Sequence, residues 1–168
     1  MGSYNTITES AAIGNTLTGI VLSNNGSFDF ISGTKANSNG RFGILAGENC
    51  TIVDTEVSDN GINGIDQSAG AIVGVTARGN GANGMSMGGS AVNGHAGSIT
   101  NSNASGNGGD GIPLANGNVS GSVADNNGFS GIVLDCPGIA IDNRAHGNAG
   151  GNIVTSDNTC VLLNNKTQ

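Results

Sequence analysis

The sequence predicts an all-β solenoid of about seven coils. The phrase Asn-x-x-x-Gly-Ile, with Met for Ile once and Asn for Gly once, occurs at residues 15–20, 39–44, 60–65, 80–85, 107–112, 127–132 and 148–153. Successive copies lie 24, 21, 20, 27, 20 and 21 residues apart, which is the length of one solenoid coil. Each copy of the phrase therefore marks one coil.

Two apolar columns keep the same register as the phrase. Thirteen residues before its last residue stand Ile7, Ile31, Ile52, Ile72, Ile99, Val119 and Ala140. Eight residues before it stand Ala12, Ala36, Val57, Ala77, Ala104, Ala124 and Ala145. Since polar residues flank these positions, short strands that alternate inward and outward side chains are predicted, with the columns stacked into a core.

The coil boundaries follow from the repeat register. We expect breaks near residues 25, 49, 70, 95, 118 and 138, with an incomplete eighth coil over residues 160–168. The 27-residue spacing predicts an insertion over residues 86–98, where His95 is interpreted as a loop residue. Residues 4–168 are predicted to form one domain, and Met1-Gly2-Ser3 is typical of an expression-vector remnant.

Composition excludes several classes of partner. The net charge is −7, so neither nucleic acid nor an anionic membrane surface is expected to bind. No apolar run approaches the ~20 residues that cross a bilayer. The 31 glycines suit the corners of a coil, and no segment has the pattern of an amphipathic helix.

The asparagine that opens each phrase is interpreted as structural. Asn side chains stacked in register can pass amide hydrogen bonds from coil to coil and can satisfy backbone groups at a turn. We therefore predict an asparagine ladder formed by Asn15, Asn39, Asn60, Asn80, Asn107, Asn127 and Asn148.

The three cysteines are expected to be buried thiols that pack as small apolar side chains. The alternative is a disulfide between Cys136 and Cys160. The repeat register places these two residues within about two positions of each other on neighbouring coils, and strands ~4.8 Å apart are within disulfide reach.

Asn-Gly-x-x-Gly-Ile, preceded by Ile-x-x-x-x-Ala or Val, resembles the repeat of the pectin-lyase-like superfamily over residues 4–165. The resemblance implies a right-handed parallel β-helix of about seven coils of 20–27 residues and an extracellular or periplasmic location. The superfamily includes polysaccharide lyases, galacturonases, alginate epimerases, phage tailspikes and repeat proteins without known chemistry.

The motifs of the family's enzymes are missing from this sequence. The Asp-Pro-His-Glu of the epimerases and the Asn-x-Asp, Asp-Asp, Gly-His-Gly and Arg-x-Lys of the galacturonases do not occur. Pectate lyases combine Ca²⁺-binding acidic clusters with a catalytic Arg or Lys, whereas this chain has five basic residues in all. No cofactor is therefore expected, and Ca²⁺ is left open without a motif.

The best remaining cluster lies on the outward positions of one predicted strand. Stacking places Asp125 beside His146 and close to Arg144, which together could abstract a proton next to a uronate carboxylate and neutralise that carboxylate. The same and adjacent columns supply candidate substrate-binding residues, namely Asp142, Asp54, Glu56 and Arg78, with Lys35 stacked before Glu56. The alternative is a set of solvated charge pairs worth ~0.2–1 kcal/mol each.

The leading functional interpretation is a non-catalytic or catalytically minimal extracellular β-helix module that serves as a scaffold or weak polysaccharide binder. The alternative is a polyuronate lyase or C5-epimerase that uses Asp125, Arg144 and His146. Neither end of the solenoid has a capping helix in the sequence. We therefore expect loops, self-association as a homo-oligomer, or a flanking domain to cover the open ends.

Overall fold

The computed structural model describes residues 4–22, 28–88 and 97–167. Over these ranges the chain forms 21 short β-strands and no helix. The strands stack coil on coil into three parallel sheets, so the predicted all-β parallel β-helix of about seven coils is confirmed. Residues 1–3 and the part of the predicted insertion that contains His95 lie outside the described residues.

Each coil contributes one strand to each sheet in turn. The first sheet contains Thr6–Thr8, Phe30–Ser32, Cys50–Val53, Gly70–Val73, Gly97–Thr100, Gly117–Ser120, Ile139–Ile141 and Val161–Leu163. The second contains Glu56–Ser58, Thr76–Arg78, Asn103–Ser105, Val123–Asp125, Arg144–His146 and Lys166–Thr167. The third contains Ile20–Val21, Ile44–Ala46, Ile65–Gln67, Met85–Met87, Ile112–Ala115, Ser130–Asp135 and Gly151–Thr155.

Coil boundaries agree with the repeat register wherever the structure describes them. The boundaries predicted near residues 49, 70, 118 and 138 lie within one residue of the first-sheet strands that begin at Cys50, Gly70, Gly117 and Ile139. Those predicted near 25 and 95 fall outside the described residues. The last coil is incomplete, as expected, with strands in the first and second sheets over residues 160–167.

The core consists of the predicted columns. Ile31, Ile52 and Ile72 are paired in successive first-sheet strands and are completely buried. The alanine column of the second sheet and the Ile or Met that closes each phrase face them across the coil. Burial of one such large aliphatic side chain contributes ~1.5–3 kcal/mol, and each coil buries its inward side chains only when its neighbours cover them.

The asparagine ladder is present along the corner between the second and third sheets. Asn60 illustrates a complete rung: its Oδ1 accepts from the backbone N–H and the Nδ2 of Asn39, at 3.0 Å each. Its Nδ2 donates to the Oδ1 of Asn80 at 3.0 Å and to the carbonyl of Ala36 at 2.9 Å. Every polar atom of a buried rung is therefore satisfied inside the corner.

A second ladder, which the sequence did not predict, holds the corner between the first and second sheets. Ser102 shows its pattern: the hydroxyl donates to the carbonyl of Thr100 at 2.9 Å and accepts from the backbone N–H of Val75 at 3.1 Å. Ser122 repeats the arrangement, and Asn143 takes it over in the next coil. The ladder mixes Thr, Ser and Asn, so no single residue type marks it in the sequence.

The expectation of three free thiols is wrong for two of the cysteines. Cys136 and Cys160 form a disulfide between neighbouring coils, with their Cα atoms 5.0 Å apart. Cys50 is a free, buried thiol, as expected. Burial, together with the nearby Asp29 carboxylate, raises the pKa of Cys50 to about 12, so the thiol stays protonated and inert.

Candidate functional site

Two outward columns flank the buried alanine column of the second sheet and form its outer face. The first column runs through Lys35, Glu56, Thr76, Asn103, Val123, Arg144 and Lys166. The second runs through Ser58, Arg78, Ser105, Asp125 and His146. We call this surface the cationic face, because four of the chain's five basic residues belong to it.

Charge is segregated onto this face. Lys35, Arg78, Arg144 and Lys166 are opposed there by two carboxylates, those of Glu56 and Asp125, so the face carries a charge of +4 − 2 = +2 while the whole chain carries −7. The fifth basic residue, Arg41, lies in a turn next to the asparagine ladder. Its guanidinium stacks over the Phe42 ring, 5.4 Å from the ring centroid.

The predicted catalytic residues lie together at the C-terminal end of the cationic face. Asp125 and His146 are partners in adjacent strands, and Arg144 forms an ion pair with the Oδ2 of Asp125. The Arg144 side chain is 57% exposed, whereas that of Asp125 is 14% exposed. The Oδ1 of Asp125 is buried and accepts no hydrogen bond from the described residues. A carboxylate, a guanidinium and an exposed imidazole therefore meet in two neighbouring coils.

A second charge pair lies nearer the N-terminal end of the same face. The Nζ of Lys35 is 3.5 Å from the Oε2 of Glu56, and the Nδ2 of Asn37 donates to the Oε1 of Glu56 at 3.0 Å. Both charged side chains are well exposed, so the pair itself contributes less than ~1 kcal/mol to stability. Among the described residues, Arg78 and Lys166 form no ion pair, and their charges remain available to a ligand.

The predicted substrate-binding residues are distributed over three coils. Asp142 lies two residues before the strand that carries Arg144, so it belongs to the C-terminal cluster. Asp54 and Glu56 lie four coils away, which is about 19 Å along the axis. Arg78 shares a column with Asp125 but is separated from it by Ser105. The seven predicted residues therefore share one side of the solenoid without forming one compact pocket.

Two notches lie along the corner that joins the first sheet to the cationic face. The first, of about 350 Å³, is lined by Gly33, Thr34, Lys35, Asp54, Thr55, Glu56, Gly74 and Thr76. The second, of about 310 Å³, is lined by Gly121, Ser122, Val123, Asp142, Asn143, Arg144, Asn164 and Lys166. Residue by residue they occupy the same repeat positions, four coils apart.

Asp66 and Lys166 are functional candidates that the sequence reasoning missed. Asp66 lies on the outer face of the third sheet, between Leu45 and Ser86. Burial raises the pKa of this carboxyl, and a hydrogen bond from the Asn63 amide lowers it by less. The sequence does carry a signal for Asp66. It directly follows the phrase at residues 60–65, and no other copy of the phrase is followed by an acidic residue.

No three His, Cys, Asp or Glu side chains within residues 4–22, 28–88 and 97–167 are grouped so that they could hold a metal ion. In the same ranges no helix is long and apolar enough to span a lipid bilayer. The expectations about cofactors and Ca²⁺ remain predictions.

Comparison with solved structures identifies the fold. The A-module of the Azotobacter vinelandii mannuronan C-5 epimerase AlgE4 is similar with a TM-score of 0.77 and 16% identity, over 98% of this chain and 54% of that one. The periplasmic alginate epimerase AlgG gives a TM-score of 0.64 at 14% identity, over 98% and 47% of the two chains. Pectate lyase Pel9A gives 0.54 at 18% identity, over 90% and 50%. The chain shares the parallel β-helix fold of these structures.

The likeness is one of fold. At these identities it does not carry residue roles across, and the chain spans about half the length of the structures it matches. By sequence, the chain matches no family model and no curated protein.

Proposed function

We propose that this chain is a polysaccharide-binding β-helix module whose cationic face takes up an anionic polymer such as a polyuronate. The observation that carries the proposal is the placement of four of five basic side chains on one sheet face of a chain with a net charge of −7. Because stacked coils repeat every ~4.8 Å, the face offers cations at intervals along a straight line. A linear polymer with a carboxylate on each sugar is the ligand that such a line fits.

The distribution of ion pairs on the cationic face favours ligand binding over a purely structural role for its basic residues. If the basic residues served only to pair with neighbouring carboxylates, each would be expected to have a partner. Lys35 and Arg144 do, but Arg78 and Lys166 form no ion pair with a described residue. The structural neighbours named as mannuronan epimerase, alginate epimerase and pectate lyase support the choice of an acidic polysaccharide.

The test compares Arg78→Gln/Lys166→Gln with the control Arg41→Gln in binding to mannuronan at low ionic strength. Each exposed charge is worth ~0.5–1 kcal/mol, so the double variant should weaken binding by about tenfold. Added salt should weaken binding of the parent chain in the same direction. Arg41→Gln removes one positive charge away from the cationic face and should leave the affinity within about twofold. Equal losses per removed charge in the double variant and the control would show that net charge, and not this face, attracts the polymer.

A second function, polyuronate C5 epimerisation or lyase chemistry, is favoured by the adjacency of Asp125, Arg144 and His146. In this mechanism neutral His146 removes the C5 proton, and the electron pair is delocalised onto the uronate carboxylate beside Arg144. Return of a proton to the opposite face of the sugar gives the epimer, whereas expulsion of the 4-linked oxygen, which takes up a proton, gives an unsaturated end. Asp125 holds the guanidinium in place through their ion pair.

Activity is tested by incubating the chain with mannuronan in deuterated water, following deuterium at C5 and the absorbance of unsaturated ends. If the second function is correct, His146→Ala should abolish both signals while retaining polymer binding. Glu9→Gln, which removes an exposed carboxylate outside the seven candidate residues, is the control and should keep activity. Signals that persist in His146→Ala would refute the assignment of this residue as the base.

We also propose an extracellular or periplasmic location. The Cys136–Cys160 disulfide is typical of an oxidising compartment, and one structural neighbour is described as periplasmic. We further propose that self-association or a flanking domain covers the ends of the solenoid, because the inward side chain of Leu162 in the last coil is 48% exposed.

A further inference from the structure

We propose that Asn116 is a site of spontaneous deamidation, at which the chain converts its own asparagine into aspartate and isoaspartate. The reaction requires an asparagine followed by glycine, with the side-chain amide and the glycine N–H both free to react. Eight Asn-Gly pairs occur within the described residues, and they begin at Asn39, Asn60, Asn63, Asn80, Asn83, Asn107, Asn116 and Asn127. Among these eight, the pair at Asn116 is the one in which the fold leaves both groups free.

The reaction joins groups of two adjacent residues and needs no reagent but water. The backbone nitrogen of Gly117 loses its proton and attacks the Cγ of Asn116, and the Nδ2 of Asn116 takes up a proton and leaves as ammonia. Glycine favours this step because it has no Cβ to shield the nitrogen. Water then opens the resulting succinimide ring. Attack at the Cγ carbonyl gives aspartate, whereas attack at the backbone carbonyl gives isoaspartate.

The other seven pairs are protected at both reacting groups. In each of them the glycine N–H donates to a carbonyl of a neighbouring coil, at 2.8–3.0 Å. The Oδ1 of each of these asparagines also accepts from a backbone N–H of a neighbouring coil, at 2.9–3.1 Å. In the pair at Asn107, for example, Gly108 donates to the carbonyl of Asn80. A local opening of the corner must therefore precede any attack.

Neither kind of protection is present at Asn116, which directly precedes the first-sheet strand Gly117–Ser120. The Asn116 side chain is exposed and makes no hydrogen bond with a described residue. The N–H of Gly117 makes no hydrogen bond with a described corner residue, and both residues line a surface pocket of about 480 Å³. Water can therefore reach the nitrogen that must lose its proton.

Isoaspartate at this position would alter a contact between two coils. The carbonyl of Asn116 accepts from the N–H of Gly97 at 3.2 Å. In isoaspartate that carbonyl carbon becomes a carboxylate branch, and the main chain passes through Cγ instead. The hydrogen bond is then displaced, and a negative charge is added at the edge of the first sheet. We therefore expect faster hydrogen exchange at the Gly97 amide after conversion.

Peptide mapping by mass spectrometry tests the inference after incubation of the folded chain at mildly alkaline pH. Asn116 should be converted on the order of a hundredfold faster than Asn60 and Asn107, because their hydrogen bonds must open first. An isoaspartyl methyltransferase should label the peptide that contains Asn116. The pairs at Asn25 and Asn93 lie outside the described residues, and their conversion is read from their own peptides.

Two variants and one denatured sample complete the experiment. Asn116→Gly, which tolerates the φ of 54° at this position, should remove the signal. Asn118→Ser replaces an exposed asparagine that is followed by valine and should leave the signal unchanged. In urea, Asn116, Asn60 and Asn107 should be converted at similar rates. Conversion of folded Asn116 no faster than that of Asn60, or an equally large difference in urea, would overturn the inference.

Discussion

Asn152 stands where the other copies of the phrase have glycine, and the structure gives a physical reason for the exception. In an inner coil, the Oδ1 of the next asparagine accepts from the backbone N–H and the Nδ2 of the one before it. Asn148 has no such successor, and the Oδ1 of Asn152 takes that place, 3.0 Å from the Nδ2 of Asn148. The ladder is therefore capped from within its own last coil.

The loss of stability on replacing one asparagine of the ladder should depend on how deeply that asparagine is buried. Asn80→Ala takes away the acceptor for two donors of Asn60 and the donor to the carbonyl of Val57, all of them buried. Since each unpaired buried group costs ~1–3 kcal/mol, the free energy of unfolding should fall by about 3 kcal/mol or more in urea titrations.

Asn15→Ala is the matched control for this prediction. Asn15 is exposed at the N-terminal end of the ladder, and its side chain donates one hydrogen bond there, from Nδ2 to the Oδ1 of Asn39. Water can replace it, so the loss should stay below ~1 kcal/mol. Equal losses for Asn15→Ala and Asn80→Ala would mean that burial of the rung does not determine its contribution.

At the scale of single elements, the last coil is held by fewer apolar contacts than the others. Its strand Val161–Leu163 pairs on one side with Ile139–Ile141, and all three of its side chains are exposed. The disulfide between Cys136 and Cys160 attaches this strand to the preceding coil across a sequence separation of 24 residues. The disulfide therefore stabilises a strand whose own side chains are exposed.

We therefore predict a local effect when the disulfide is removed. Closing a loop of this length restrains the unfolded chain by ~3 kcal/mol, and Cys136→Ser/Cys160→Ser should lose about that much stability. Hydrogen exchange should quicken in Val161–Leu163 and stay slow in the inner strand Ile65–Gln67. Cys50→Ala, which removes a buried free thiol, provides the comparison and should not change exchange in the last coil. Uniform exchange in the double variant would contradict the local role.

At the scale of the whole molecule, the solenoid aligns chemically similar positions but leaves their charges to vary from coil to coil. The cationic face arises in this way, because every coil presents the same backbone and the outward residue alone decides the charge. The proposed binding to a linear polymer fits such an architecture, since both partners repeat along one axis.

Much of this architecture could be predicted from the sequence. The period of the phrase placed the coils, and the inward columns of Ile31 and Ala36 were found completely buried as expected. Asp125 and His146 could be placed side by side because residues at equal repeat positions stack directly. The second ladder was not predicted, because Thr55, Ser102 and Asn143 make equivalent hydrogen bonds but are different residue types.

The sequence by itself determined which residues lie above one another, because a constant coil length converts spacing along the chain into vertical neighbours. The tertiary structure decided the contacts between unlike positions: the Arg144–Asp125 ion pair, the Cys136–Cys160 disulfide and the cap that Asn152 forms on the asparagine ladder. These contacts depend on the direction of a side chain across a corner or between columns. Periodicity does not specify that direction, which is set by local backbone angles and by the space that neighbouring coils leave.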